Sequence, residues 1–204
     1  MLNDFFLLLL DNIRQTTWIE AIAAVTGVVS IWLGRKANVL IFPVGIVSVL
    51  LYVYICYNAR LYADMGVNFV YFVMSIYGWY NWIRPHKESK SDRLPITFQG
   101  GKQRWISIGL ALLMFVALTF LLSHCTDSDV PVIDAFTTAL CMMAMYLTTQ
   151  KKVENWIYYI IADFISIPLY VYKGLVFTSL QYSIFLIIAI IALKSWRKEA
   201  LRHD

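Results

Sequence analysis

Charge is what this chain has least of. Only 15% of its 204 residues are Asp, Glu, Lys or Arg, where a soluble domain carries about 25%. With 60% hydrophobic residues and a mean hydropathy of +0.64, that deficit excludes a soluble globular domain and indicates an integral membrane protein. Catalytic signatures are also missing. The sequence has no HExxH, no Gly-rich phosphate loop and no Cys/His cluster, so neither a metal nor another cofactor is expected, and the chain does not read as an enzyme. Its three cysteines, Cys56, Cys125 and Cys141, are odd in number and lack metal-type spacing; they read as small apolar residues. His86, His124 and His203 fall in loops or the tail. The apolar run Phe5–Leu10 is too short to span, and it lacks a basic flank and a small-residue cleavage site. It reads as an interfacial segment rather than a signal peptide.

What is present is a series of apolar stretches of spanning length, about 20 residues. Seven fit, at 18–34, 39–57, 62–83, 104–123, 131–149, 154–172 and 175–194. Seven crossings put Arg14, Arg60 and Lys173 on one side and every other of the 17 Lys and Arg residues on the opposite side. Basic residues stay in the cytoplasm, so the N-terminus is expected outside and the C-terminus inside, in a bacterial inner membrane. The net charge of +4 is therefore a topology signal, not evidence of nucleic-acid binding.

The chain also carries a three-helix segment twice. At a spacing of 114 residues Ile19-Glu20-Ala21 matches Ile133-Asp134-Ala135, Leu33 matches Leu147, Leu61 matches Leu175 and Trp82 matches Trp196. The middle helix matches with a slip of four, placing Ser48, Leu51, Tyr52 and Tyr54 on Ser166, Leu169, Tyr170 and Tyr172. Two parallel three-helix units need one extra crossing between them, and 104–123, which matches neither, supplies it. The expected fold is all-α, with seven transmembrane helices in a 3+1+3 arrangement of parallel repeats. The expected divisions are an N-terminal interfacial segment (1–17), a first repeat (18–83), a cytoplasmic loop (84–103), an inverting linker helix (104–123), a second repeat (131–196) and a cytoplasmic tail (197–204). The loop, with Pro85, Pro95 and Gly100-Gly101, reads as a linker without a fold. Seams between such repeats are where membrane carriers place their substrate. A membrane enzyme or scaffold is the alternative from another class, and it would need a function for the loop.

Polar residues inside apolar helices are the candidate site. A charge such as Asp163, mid-way along the sixth span, costs several kcal/mol unless compensated. It could balance a cationic ligand or hydrogen-bond a neighbouring helix. Trp156, Tyr159 and Asp163 are spaced three and four apart, on one helical face, which suits a flat cationic ring through stacking and cation–π attraction. Trp156 also fits the interfacial aromatic belt, as does Tyr77-Gly78-Trp79-Tyr80-Asn81-Trp82 at the end of the third span. Asn68 and Gln181 offer amide donors and acceptors to hydroxyl or amide groups, or else join helices. Glu20, Asp64 and Asp134, near outer helix ends, serve as N-terminal helix charges or line an outer vestibule for a cation. Pro43, followed by Gly45, and Pro168 fall in the middle helices of the repeats, as gating hinges or static kinks.

At these residues the chain resembles the PnuC family of vitamin-precursor transporters. The resemblance runs from about Trp18 to Trp196. It is carried by Pro43-Val44-Gly45-Ile46-Val47-Ser48, Leu61-Tyr62-Ala63-Asp64, Tyr77-Gly78-Trp79-Tyr80-Asn81-Trp82, Glu154-Asn155-Trp156 through Asp163, Leu169-Tyr170, Lys173-Gly174-Leu175 and Gln181-Tyr182. It implies a fold like that of the SWEET sugar carriers, often a homotrimer in the lipid bilayer. It implies uptake of nicotinamide riboside by facilitated diffusion, with a cytoplasmic kinase trapping the product as a phosphate and neither ATPase nor coupling ion. Thiamine carriers of the same family look alike, and both ligands are cationic aromatics with a hydroxylated arm.

Overall fold

The computed structural model describes residues 17–85, 94–126 and 129–202; the expected interfacial segment lies almost wholly outside them. Seven α-helices make up the described residues: α1 (Trp18–Arg35), α2 (Ile41–Asn58), α3 (Tyr62–Ile83), α4 (Gly101–Cys125), α5 (Pro131–Thr149), α6 (Asn155–Tyr172) and α7 (Val176–Ala200). Local chemistry starts several of them. The Thr17 hydroxyl accepts from the Glu20 N–H at 3.3 Å while the Glu20 carboxylate accepts from the Thr17 N–H at 2.7 Å, a capping box. This gives Glu20 its role as an N-terminal helix charge. α5 opens with Pro131 at its first position, where the missing N–H costs nothing.

Five helices, α1, α2, α4, α5 and α7, are long and apolar enough to cross a membrane. α3 and α6 are less apolar because they carry Asp64, Asn68 and Asn81, and Asn155 and Asp163. At 22 and 18 residues they still rise about 33 and 27 Å, close to the ~30 Å hydrocarbon thickness. The two helices with the weakest membrane signal are those that bring polar groups into the interior.

The packing closes a ring. α1 packs on α2, α2 on α3, α3 on α5, α5 on α6, α6 on α7, and α7 returns to α1. α4 stands outside this ring against α5, with Trp105, Leu112, Leu113, Val116 and Phe120 exposed to the surroundings. It starts at Gly101, three residues before the expected boundary.

The helix ends recur at a spacing of 114. α1 and α5 end at Arg35 and Thr149, α2 and α6 run over Ile41–Asn58 and Asn155–Tyr172, and α3 and α7 start at Tyr62 and Val176. The turns recur too. Lys36, Ala37 and Asn38 N–H groups bond Leu33, Gly34 and Leu33 carbonyls, and Gln150, Lys151 and Lys152 repeat the pattern on Leu147, Thr148 and Leu147. Left-handed residues fall at matching places, Ala37 (φ 50°) with Lys151 (φ 51°) and Arg60 (φ 59°) with Gly174 (φ 73°). The four-residue slip expected for the middle helix is therefore absent from the backbone. Four pairs of identical Ser, Leu and Tyr residues suggested it, but equal helix lengths leave no insertion to accommodate it.

At the end rich in Lys and Arg, the ring is plugged by a buried aromatic cluster of Phe42, Trp82, Trp156 and Trp196. The Trp82 Nε1–H donates to the Thr148 carbonyl at 3.1 Å, and the Trp196 Nε1–H donates to the Gly34 and Arg35 carbonyls at 3.2 Å. Thr148 and Gly34 are themselves 114 apart. Asn81 adds a bond from Nδ2 to the Thr149 carbonyl at 2.8 Å. Trp82 is thus core rather than belt, whereas its neighbours Tyr77, Trp79 and Tyr80 are exposed. Trp79 and Trp82 are three residues apart, so helical period does not separate them; Trp82 is buried because it packs against Phe42 and Trp196.

The 84–103 loop is not wholly a linker. Residues 86–93 lie outside the described residues, but 94–100 dock on the α5–α6 turn. The Thr97 N–H bonds the Lys151 carbonyl at 3.2 Å and the Val153 N–H bonds the Thr97 carbonyl at 3.1 Å, a parallel bridge. The buried Glu154 carboxylate accepts from the Gln99 N–H at 3.0 Å with each oxygen, and Arg104 lies 3.4 Å from it. A linker composition missed this because the partners lie about 50 residues away, on the α5–α6 turn.

Gly78 is where α3 comes closest to α2. A Cβ there would overlap the Phe42 ring and sit 3.0 Å from the Thr149 methyl. Gly78→Ala should lower stability by about 1–3 kcal/mol, read as a fall in thermal unfolding temperature in detergent. An unchanged temperature would contradict this packing.

Candidate functional site

α6 carries the polar and aromatic residues that face the ring interior. Tyr159, Asp163, Ser166 and Tyr170 recur at intervals of four, three and four, a continuous stripe on one helical face. Asp163 is 3% exposed, and no described residue gives it a hydrogen bond or an ion pair. It lies near Tyr159 and the Cys141 thiol of α5. Such a carboxyl group in a membrane interior is held at a cost of several kcal/mol.

Around it stand aromatic groups from three helices. Tyr71 of α3 lies near Cys141, Tyr159 and Tyr170. Tyr170 stacks on Tyr182 of α7, with ring centroids 5.0 Å apart and planes 19° from parallel. Tyr159 reaches the Met145 sulfur with its hydroxyl at 3.9 Å and lies 5.9 Å from Trp156. Trp156, 2% exposed, meets Trp196 edge-on at 5.5 Å, so this cluster runs directly into the plug. Among the described residues the Trp156 indole N–H and the Asn155 side-chain amide oxygen are buried without hydrogen-bond partners.

The opposite end holds acidic groups. Lys173, in the α6–α7 turn, bridges to both Asp134 oxygens at 2.7 Å, tying the start of α5 to the end of α6. Asp64, in the first turn of α3, interacts electrostatically with both. Asp134 is therefore an ion-pair partner as well as an N-terminal helix charge.

Trp156, Tyr159 and Asp163 are brought together as their spacing on α6 requires. Gln181 faces a different neighbourhood. Its amide nitrogen lies 3.7 Å from where a Gly27 side chain would begin, and the residue pairs with Tyr52 of α2. The Asn68 amide is occupied within its own helix, donating to the Asp64 carbonyl at 2.9 Å. Among the proposed hinges, Pro43 is the third residue of α2, in the first turn, where no intrahelical bond is lost. It cannot bend the helix by that route. Gly45 marks a close approach, since a Cβ there would lie 2.9 Å from the Ser30 hydroxyl. Pro168 is inside α6 and does remove a bond, and the Ser179 hydroxyl donates to the adjacent Ile167 carbonyl at 2.9 Å.

Tyr71, Tyr170, Tyr182 and Cys141 escaped sequence reasoning as site residues. The α6 stripe was legible from its period; the tyrosines of α3 and α7 were not, because nothing local distinguishes them from belt residues. Together the groups form an aromatic cluster around one buried carboxyl group, the residue chemistry that suits a flat ring bearing positive charge.

The family described as nicotinamide mononucleotide transporter matches residues 17–198. The nicotinamide riboside transporter PnuC of Escherichia coli is 26% identical over 207 residues, covering 90% of this chain and 87% of that protein. The riboflavin/roseoflavin transporter RibM of Streptomyces davaonensis is 24% identical, covering 96% and 91%. A crystal structure of the vitamin B3 transporter PnuC superposes with a TM-score of 0.75 at 21% identity, covering all of this chain and 91% of the other.

An uncompensated carboxyl group has a testable cost. Asp163→Asn should leave the ligand-free protein as stable or more stable while weakening substrate uptake far more than Asp64→Asn. Equal effects of the two on uptake would remove Asp163 from the site.

Proposed function

The chain belongs to the nicotinamide mononucleotide transporter family, and from that premise we propose that it carries nicotinamide riboside across the membrane by facilitated diffusion. The observation that supports this substrate is Asp163, a buried carboxyl group with no protein cation beside it. A cationic pyridinium ring stacked near Tyr159 and Trp156 supplies the missing charge, and cation–π attraction adds about 0.5–2 kcal/mol per ring. Within the family's range of ligands, the same group disfavours a mononucleotide, whose phosphate would meet a carboxylate in low dielectric. It gives no advantage to riboflavin, which is uncharged. Thiamine, also a cationic aromatic, is the reading that competes.

The proposed path runs between two parallel repeats, 18–83 and 131–196, with α4 as the inverting helix of a SWEET-like 3+1+3 arrangement. Shared helix ends, turn hydrogen bonds and left-handed positions at a spacing of 114 support that division. The basic end faces the cytoplasm in this reading, so the tryptophan plug is the inner gate and the Asp134–Lys173 bridge lies outside. Pro168 is the favoured hinge. Asn68 and Gln181 contact the ribose only if their present partners release them. The working assembly is a homotrimer, and a cytoplasmic kinase traps the imported riboside as its phosphate.

Ligand binding to the folded state raises stability by RT ln(1 + [L]/Kd). Nicotinamide riboside should raise the unfolding temperature of the purified protein, and riboflavin should not. A shift with thiamine alone would replace the substrate assignment; a shift with none of the three would overturn the carrier reading. Because the substrate carries one positive charge, uptake into vesicles should follow an imposed potential, about 2.3 kcal/mol per 100 mV. Insensitivity would mean that a compensating ion moves as well.

A further inference from the structure

Two sets of hydrogen bonds meet at the basic end, and they differ in strength. The set that joins the two halves is made by neutral donors: the indoles of Trp82 and Trp196 and the Asn81 amide, all on helix-end carbonyls. The other set fastens the docked segment and the start of α4 to the α5–α6 turn, and charged groups anchor it. The Glu154 carboxylate accepts from the Gln99 N–H and faces Arg104 at 3.4 Å. The Lys151 ammonium donates to the Leu94 carbonyl at 3.0 Å, and the Lys152 ammonium donates to the Thr97 hydroxyl at 2.8 Å. Ser107 of α4 extends the set, its hydroxyl lying 3.3 Å from the Gln99 side-chain oxygen and 3.3 Å from the Tyr158 hydroxyl. Charge-assisted bonds are about twice as strong as neutral ones. Glu154 and Lys151 are buried, so salt screens them little. When the two halves are drawn apart, the neutral set yields first.

We propose that residues 94–107 form a clasp that stays shut throughout transport, with Glu154 as its positioning residue, so that α4, the α5–α6 turn and the start of α6 move as one body when the plug opens. The proposal rests on the reading of the tryptophan plug as the inner gate. The contacts divide accordingly. Ile96 is buried in the cluster that contains Trp196 and lines a cleft with it, so Trp196 stays with the clasp and leaves Gly34 and Arg35 of α1. Lys151, held by the Leu94 carbonyl, keeps its ammonium 4.4 Å above the Trp82 ring, so Trp82 parts from Thr148 and from a cation that remains with the clasp. Trp156 and Tyr159 lie in the first two turns of α6, next in sequence to Glu154, and keep their places relative to it. A clasp that opened instead would strand the buried Glu154 carboxylate without its donors, the costlier route.

Two measurements on the full-length protein test this. The first needs no substrate: hydrogen exchange in neutral detergent, followed by NMR. The Trp82 and Trp196 indole N–H groups should be protected at least about tenfold less than the Thr97, Gln99 and Val153 amides, the difference between a neutral and a charge-assisted bond. Equal protection, or the reverse order, would overturn the proposal. The second uses proteoliposomes and a disulfide between Thr97→Cys and Lys152→Cys, partners in the parallel bridge. A strand spacing of about 4.8 Å lies within the Cα separation that a disulfide accepts. Oxidation should leave nicotinamide riboside uptake unchanged, with the natural protein under the same oxidant as control. Arrest of uptake that a reductant reverses would show that the clasp opens in the cycle. Glu154→Gln should slow uptake about tenfold, leave the Kd for the riboside unchanged, and be rescued by the same disulfide; a raised Kd with an unchanged rate would contradict its role. If the natural protein takes up no riboside, the carrier reading fails, and the order of exchange still decides whether the clasp outlasts the plug.

Discussion

Two indole N–H groups hold the structure's closed end together. A helix leaves its last carbonyls without partners, and in a membrane interior such groups cost several kcal/mol each. α1 and α5 end inside the ring, and their last carbonyls are met from across it. Trp196, near the end of α7, covers Gly34 and Arg35; Trp82 and Asn81, at the end of α3, cover Thr148 and Thr149. Each contact joins a helix of one half to a helix of the other. Closing the ring and capping these helices are therefore one event.

That arrangement links the aromatic cluster around Asp163 to the plug. Trp156 lies edge-on against Trp196 and within stacking range of Tyr159, so a ring that displaces Tyr159 or Trp156 presses on an indole that caps α1. The Trp156 N–H and Asn155 side-chain oxygen, without partners among the described residues, cost about 1–3 kcal/mol each. A rearrangement that gave them partners would recover part of what breaking the indole bonds loses. The docked 94–100 segment bears on the same turn, through Glu154 and Lys151, and so braces one of the two halves more than the other.

Much of this was legible in the sequence because it depends on local quantities. Spanning helices follow from hydropathy and length. The α6 face carrying Trp156, Tyr159 and Asp163 follows from a 3.6-residue period. What residue chemistry did not reveal is where the amides lie: that of Asn68 is spent on its own helix and that of Gln181 faces α1 and α2. Pro43 looked like the counterpart of Pro168 until helix ends placed it in a first turn.

The sequence by itself determined a seven-helix membrane protein with a repeated segment and placed a carboxyl group midway along its sixth span. The tertiary structure alone decided which aromatic residues are core and which are belt. Trp82 and Trp79 are three residues apart, and only ring closure buries the first. It also decided that the repeat keeps one spacing throughout, and that Thr97 pairs with Lys151. These pairings join residues 54 to 162 positions apart, and hydrogen bonds over such separations leave no period or composition behind. They exist only because the helices enclose a common interior, where every polar group must find a partner or bear the cost of lacking one.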